Sequence, residues 1–367
     1  MRLLLTGLLC GLHFFAFAQK NNPFLFVGTY SDRGSEGIYV YRFNAKTGAL
    51  TPVSIAKELR SPSFLALSPD KNKLYAVAEN DSGSVGAFQF NAQTGKLQYL
   101  NAQSSKGVWP CHVAVDATGK WCMAGNYGSG NVAVLPVKTD GSLAPAHQTL
   151  QHEGKSANAE RQEKAHVHSI NIAANNRDVF VADLGTDKIM AYTLDAATGK
   201  LQSGNPPYAL MKPGGGPRHF AFHPKGQFAY GVLELSCEVQ AFRYENGKLT
   251  DIQRIGTLPA DFKGANTCAD IHVSPDGKFL YVSNRGHHSL AIFKIDQFAG
   301  TLTLVGHQSV MGETPRNFAL SPDGKFVLVA NQNTDNIQLF RRNKRTGKLK
   351  HLGEAAKVSM PVCLIFR

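Results

Sequence analysis

The sequence predicts an all-β protein, a seven-bladed β-propeller closed by pairing of its N- and C-terminal strands in one blade. A Thr-Gly-x-Leu turn, or a close variant, recurs with its glycine at Gly48, Gly95, Gly141, Gly199, Gly247, Gly300 and Gly347, spaced 46 to 58 residues apart. That is the period of propeller blades. Each copy also has an apolar stretch leading into a tight turn, plainest at Ser68-Pro69-Asp70, Ser274-Pro275-Asp276-Gly277 and Ser321-Pro322-Asp323-Gly324, with His223-Pro224-Lys225-Gly226 as a variant. Pro followed by Asp and Gly is hairpin chemistry, so every copy reads as four short strands. The ends complement each other. Residues Phe24 to Tyr30 match the second strand of a copy with no first strand before them, and Pro361 to Phe366 match a first strand with nothing after. Their pairing seals the ring and removes its open edges.

Composition agrees with many strands and turns. The 367 residues include 35 glycines and 10% aromatic side chains, too rich in both for a helical bundle. The formal charge of +12 would allow an acidic partner, but Lys and Arg are scattered through turns. The longest basic run, Arg341-Arg342-Asn343-Lys344-Arg345, reads as a solvated loop, so nucleic acid is not the expected partner.

Before the first blade lies a leader. Arg2 is followed by a nearly unbroken apolar stretch from Leu3 to Phe17, and Ala16-Phe17-Ala18 precedes Gln19 as small residues precede a signal-peptidase cut. The expected organisation is therefore a signal peptide at 1–18 and one propeller domain at 19–367, exported to the periplasm and without a membrane span. Cys10 lacks the small residue that precedes a lipidated cysteine. The remaining cysteines, Cys111, Cys122, Cys237, Cys268 and Cys363, are odd in number and widely spaced, which gives neither a disulfide framework nor metal-ligand spacing.

Two copies carry extra length, one in Gln151 to Lys164 and one around Leu258 to Cys268. Each is read as a surface loop, either a lid beside a site or an inert insertion.

The Ser-Pro turn serves as a ruler across copies. Five residues before it stand Ser63, Cys111, His168, Arg218, Ala269 and Arg316, with Val362 in the last strand; eleven after it stand Glu79, Tyr127, Leu184, Glu234, Arg285 and Gln332. Both sets fall on one rim of the ring, which gathers His168, Arg218, Glu234, Arg285 and Arg316 around a central mouth. Arginines offer planar forks for a carboxylate or phosphate, and an imidazole with a carboxylate supplies acid and base. Any one of these residues could equally be a strut between blades. His166, two residues before His168, faces the same way as a second imidazole or a support. His219 and His223, on the other side of their strand from Arg218 by parity, read as packing or turn residues, His287-His288 as a solvated loop, and Asn126, Asp183, Asn284 and Asn331 as turn-forming side chains bonding their own backbone. No metal or cofactor is expected.

These motifs resemble the seven-bladed propeller lactonases, the family of bacterial 6-phosphogluconolactonases and fungal carboxy-muconate lactonising enzymes. The resemblance rests on Gly216-Pro217-Arg218-His219, Glu234-Leu235-Ser236, the run from Ala269 to Gly277, Ser283-Asn284-Arg285 and Pro315-Arg316, and covers nearly the whole chain after the leader. It implies a catalytic set of His168, Arg218, Glu234 and Arg285, with Leu233 standing where the family has Asn, and substrate contacts from Arg316 and His166. It also implies hydrolysis of a small anionic lactone, with Glu234 or His168 activating water and the other protonating the leaving oxygen. The expected partner is a small anionic lactone or sugar acid; the alternatives are a lactonising isomerase of the carboxy-muconate type, using the same residues in the ring-closing direction, and a non-enzymatic exported binding propeller.

Overall fold

The computed structural model describes residues 22–367; the predicted signal peptide lies outside the described residues. Twenty-eight strands form seven four-stranded antiparallel sheets. Blades 1 to 6 take residues 65–104, 110–151, 167–210, 217–256, 268–309 and 315–357 in order. The closing blade has Pro361–Phe366 innermost, followed by Phe24–Thr29, Ile38–Phe43 and Leu50–Ala56. Its seam pairs Leu25 with Phe366, Val27 with Leu364 and Gly28 with Cys363. The ring thus closes by joining the chain ends, as the sequence predicts.

Burial explains why the second strands read as continuous apolar runs. Phe228–Leu233, Phe279–Asn284 and Phe326–Asn331 are buried along their whole length, because each sheet is covered by a neighbour on both faces. The core is accordingly a set of layers between blades. Phe228 and Tyr230 of blade 4 pack with Leu280 and Phe293 of blade 5, and Phe43 of the closing blade packs with Phe326 of blade 6.

The repeated glycine has a physical cause in that layer. Gly300 and Gly347 have φ of +73° and +74°, and a Cβ on them would stand 2.4 Å from Phe228 and 2.3 Å from Phe279. Each turn therefore lies flat on the first residue of the previous blade's second strand. A tyrosine in that strand clasps it: Tyr230 donates to the Gly300 carbonyl at 3.0 Å and Tyr281 to that of Gly347 at 2.7 Å.

Two expectations change. Asn126, Asn284 and Asn331 do not bond their own backbone; their amides donate to the carbonyls of Ser105, Thr257 and Val310 at the end of the preceding blade's outer strand, and to the side chains of Asn131, Ser289 and Asn336 across their own hairpins. Asp183 does bond the backbone of its local turn, accepting from the amides of Gly185 and Thr186. Within the basic run, Arg342 is buried rather than solvated, donating to Asp276 at 2.9 Å and to the Tyr281 hydroxyl at 2.9 Å. It is a strut between blades 5 and 6.

Gly300→Ala would combine left-handed strain with a clash against Phe228. It should lower unfolding free energy by roughly 3 kcal/mol in urea titrations, whereas Gly226→Ala, in a turn with the same positive φ but open space around it, should cost clearly less.

Candidate active site

The innermost strands place one residue per blade at the mouth through a shared irregularity. In blades 2, 3, 4 and 6 and in the closing blade the ladder skips a single residue of the inner strand: Cys111, His168, Arg218, Arg316 and Val362. In blade 5 it steps from Cys268 to Ile271, across Ala269. A bulge frees the skipped residue from pairing and re-aims its side chain. The second level is equally regular. The first residue after each second strand donates its amide across to the approach of the inner strand: Glu79 to Ser61, Tyr127 to Trp109, Leu184 to His166, Glu234 to Gly216, Arg285 to Thr267, Gln332 to Thr314 and Tyr30 to Met360. Tyr30 is the seventh member of that level.

Between these levels lies a narrow throat with only about 10 Å³ of free space, lined by Tyr30, Glu79, His168, Arg218, His219 and Arg316, among others. It shares Tyr30 and Glu79 with an outer depression of about 420 Å³. A cleft of about 460 Å³ at the outer rim is comparable in size to that depression, but its carboxylate, Asp178, is tied to Tyr244 and Asn175. The throat is the site with convergent ionisable groups.

Of the predicted residues, His168, Arg218 and Arg316 border the throat, and Glu234 and Arg285 stand beside it. Glu234 is held by three guanidinium groups: Arg161 Nη2 at 2.8 Å and Arg285 Nη2 at 3.0 Å on Oε1, and Arg218 Nε at 2.9 Å from Oε2. The Arg218 Nε–H is not aligned on the oxygen, so charge rather than a hydrogen bond joins that pair. Two carbonyls complete the frame, Ala269 accepting from Arg218 at 2.7 Å and Cys268 from Arg285 at 3.0 Å. Burial alone would raise the Glu234 pKa, but Arg285, Arg218 and Arg161 outweigh it and bring it down to about 2. Arg218 falls to about 10 through burial and the nearby charges of Arg285 and Arg316.

His168 is pushed well below the ordinary imidazole range by burial, Arg218 and His219. Its imidazole is therefore neutral near pH 7, with Cys111 Sγ 3.8 Å from Nδ1. Arg316 lies over the Tyr30 ring at 5.1 Å. Tyr30 in turn donates to Glu79, whose other partner is the Ser63 hydroxyl.

His166 serves as a support. Its ring stacks on Tyr127 at 4.4 Å, Nδ1 bonds the Tyr127 carbonyl at 2.9 Å and Nε2 meets Glu163 at 3.1 Å, so neither nitrogen reaches the throat. His219 corrects the strict alternation expected along its strand. The bulge at Arg218 turns both residues toward the channel, where His219 bonds Asp270 at 2.7 Å. His223 does sit in its turn, bonding the Gly277 carbonyl of the next blade. His287 is half-buried rather than solvated, bonding Ser289 at 2.7 Å and packing on Phe262 of the second insertion. Among the described residues no group of three or more His, Cys, Asp or Glu side chains could hold a metal ion.

Sequence reasoning missed Arg161. It comes from the first insertion, where no repeat ruler applies, and reaches both Glu234 and the Tyr127 hydroxyl, the latter at 3.3 Å. That insertion is a wall of the site. The second insertion instead clasps the turn after Arg285, with Asn266 Oδ1 accepting from the Gly286 and His287 amides.

Residues 24–366 match the family model for lactonases of seven-bladed β-propeller form. A 6-phosphogluconolactonase of Bacillus subtilis is 40% identical over 344 residues, covering 93% of this chain and 97% of its own. Among solved structures, a putative 6-phosphogluconolactonase from Bacteroides fragilis superposes with a TM-score of 0.90 at 39% identity, over 95% of this chain and 98% of that one. A periplasmic gluconolactonase from Pseudomonas aeruginosa gives 0.89 at 37% identity, over 94% and 99%. With the closed ring, the bulged inner strands and the arginine-bound glutamate in place, the chain belongs to the seven-bladed β-propeller lactonase family.

Proposed function

We propose that the protein hydrolyses a sugar lactone carrying an anionic group, in the manner its 6-phosphogluconolactonase and gluconolactonase relatives are named for. The observation that carries this reading is a buried, neutral imidazole, His168, sharing one narrow throat with the cations of Arg218 and Arg316. A lactone carbonyl directed into the throat meets guanidinium donors where the oxyanion of the tetrahedral intermediate forms. His168 takes a proton from the attacking water and returns it to the ring oxygen as the C–O bond breaks, giving the hydroxy acid. Glu234 takes no proton in this scheme. A carboxylate held at about pKa 2 by three arginines aligns Arg218 and Arg285 instead. This narrows the two roles that the sequence leaves open between Glu234 and His168.

The same reading extends to location. The leader-like first eighteen residues and the likeness to a periplasmic gluconolactonase both support export. Mass spectrometry of protein from the periplasmic fraction should find a chain beginning at Gln19; an intact Met1 terminus in the cytoplasm would refute export.

Arg218→Ala should reduce kcat on a gluconolactone by about 100- to 1000-fold while circular dichroism stays that of the parent. His168→Gln should do the same. Near-parental turnover in either variant would remove that residue from the chemistry.

The pH profile tests the state of His168. Because burial and its cationic neighbours depress its pKa, the neutral form persists below the usual 6.5. kcat/KM should therefore stay level as the pH falls from about 7.5 through the ordinary imidazole pKa of about 6.5. An acid limb centred near 6.5 would contradict a neutral base buried beside arginines.

A further inference from the structure

Arg161 is surplus on Glu234. That carboxylate already has Arg285 and Arg218 within 3.0 Å, both largely buried, whereas the Arg161 side chain is 39% exposed against 3% for Glu234. Of the three cations, Arg161 can leave at least cost, since its charge is already partly in water. Around the throat four guanidinium groups, Arg161, Arg218, Arg285 and Arg316, face three carboxylates, Glu79, Glu234 and Asp270, the last bonded to His219. The remaining positive charge favours an anionic ligand.

The arm's base is fixed while its tip is partly exposed to solvent. Gln162, the next residue, is fully buried and donates to the Leu184 carbonyl at 2.8 Å. Its side-chain oxygen accepts from the Asn158 amide at 3.0 Å, and the Arg161 amide donates to Asn158 Oδ1 at 3.1 Å. The guanidinium tip rests 3.3 Å from the Tyr127 hydroxyl, and the Tyr127 ring meets His168 edge to face at 5.6 Å. The cation therefore stands one aromatic ring away from the proposed base.

We propose that Arg161 is the specificity arm of the site: parked on Glu234 in the free enzyme, it transfers to the terminal phosphate or carboxylate of the bound lactone. This rests on the lactonase reading above. The chemistry recognised is a terminal oxyanion, to which a guanidinium presents two parallel donors.

Arg161→Met and Arg161→Lys should be compared with the parent on three lactones: one with a terminal phosphate, one with a terminal carboxylate and one uncharged. Expected for Arg161→Met is a 10- to 100-fold rise in KM for the anionic lactone that is the substrate, with kcat and the uncharged lactone changed less than threefold. Arg161→Lys should recover part of the loss, as a point charge replaces a fork. The two anionic arms identify which group the arm takes. Equal losses on charged and uncharged lactones, or no loss on any, would overturn the proposal. A second readout is independent of turnover: inorganic phosphate should raise the thermal midpoint of the parent more than that of Arg161→Met, and equal shifts would also overturn it. Absence of turnover by the parent on all three lactones would instead refute the lactonase reading, leaving the phosphate measurement to decide the arm.

Discussion

Closure of the ring is the constraint on which everything else in the molecule depends. Seven sheets meet only when Pro361–Phe366 pairs with Phe24–Thr29, and each interface can be filled only if the next blade arrives flush. The flush approach is set by a few repeated contacts, glycine on aromatic ring and tyrosine on carbonyl, rather than by a central core. Because the layers of apolar contact run between blades, no blade buries its own faces alone. The throat is what remains at the axis once those layers are packed. Its dimensions follow from the blade count, and the side chains in it follow from one position per inner strand.

The electrostatics of the site follow from placing arginines where water is scarce. A buried guanidinium needs partners, and here each finds a carbonyl, a carboxylate or an aromatic face: Arg218 with Ala269 and Glu234, Arg285 with Cys268 and Glu234, Arg316 with Tyr30. The cost of desolvating these charges is offset by such pairs only in part, which is why Arg218 loses basicity and His168 stays neutral. One carboxylate shared among three cations leaves the field positive. The same field that would hold an oxyanion also keeps Glu234 ionised and only weakly basic near neutral pH.

Much of this was legible in the sequence, for a physical reason. Repetition turns a chain into aligned copies of itself, and a position's role can be compared between blades without any other protein. The two rim levels emerged in that way, and the residues brought to the mouth are those counted from the turns. What escaped lies where the copies differ. Arg161 belongs to an insertion with no counterpart in other blades, so nothing in the spacing points it at Glu234. Alternation puts His219 on the opposite side of the strand from Arg218 because it assumes an unbroken ladder, and the bulge at Arg218 interrupts it. Arg342 sat in a basic run that looked solvated, although its partner Asp276 lies in a turn of the neighbouring blade. Each miss is a contact between segments far apart in sequence.

The bulge repeated along the inner strands has a consequence for how such a site can change over time. A residue omitted from the hydrogen-bond ladder carries little responsibility for holding the sheet, so its side chain is free to be exchanged without disturbing the blade behind it. The inner ring then works as a set of separately addressable sockets, now holding serine, cysteine, histidine, arginine, alanine, arginine and valine in turn. The ionisable side chains His168, Arg218 and Arg316 occupy one arc of the ring, and the neutral residues on the other arc are unspent capacity. New substrates could be accommodated by refilling those sockets one at a time, on a scaffold that never has to be rebuilt.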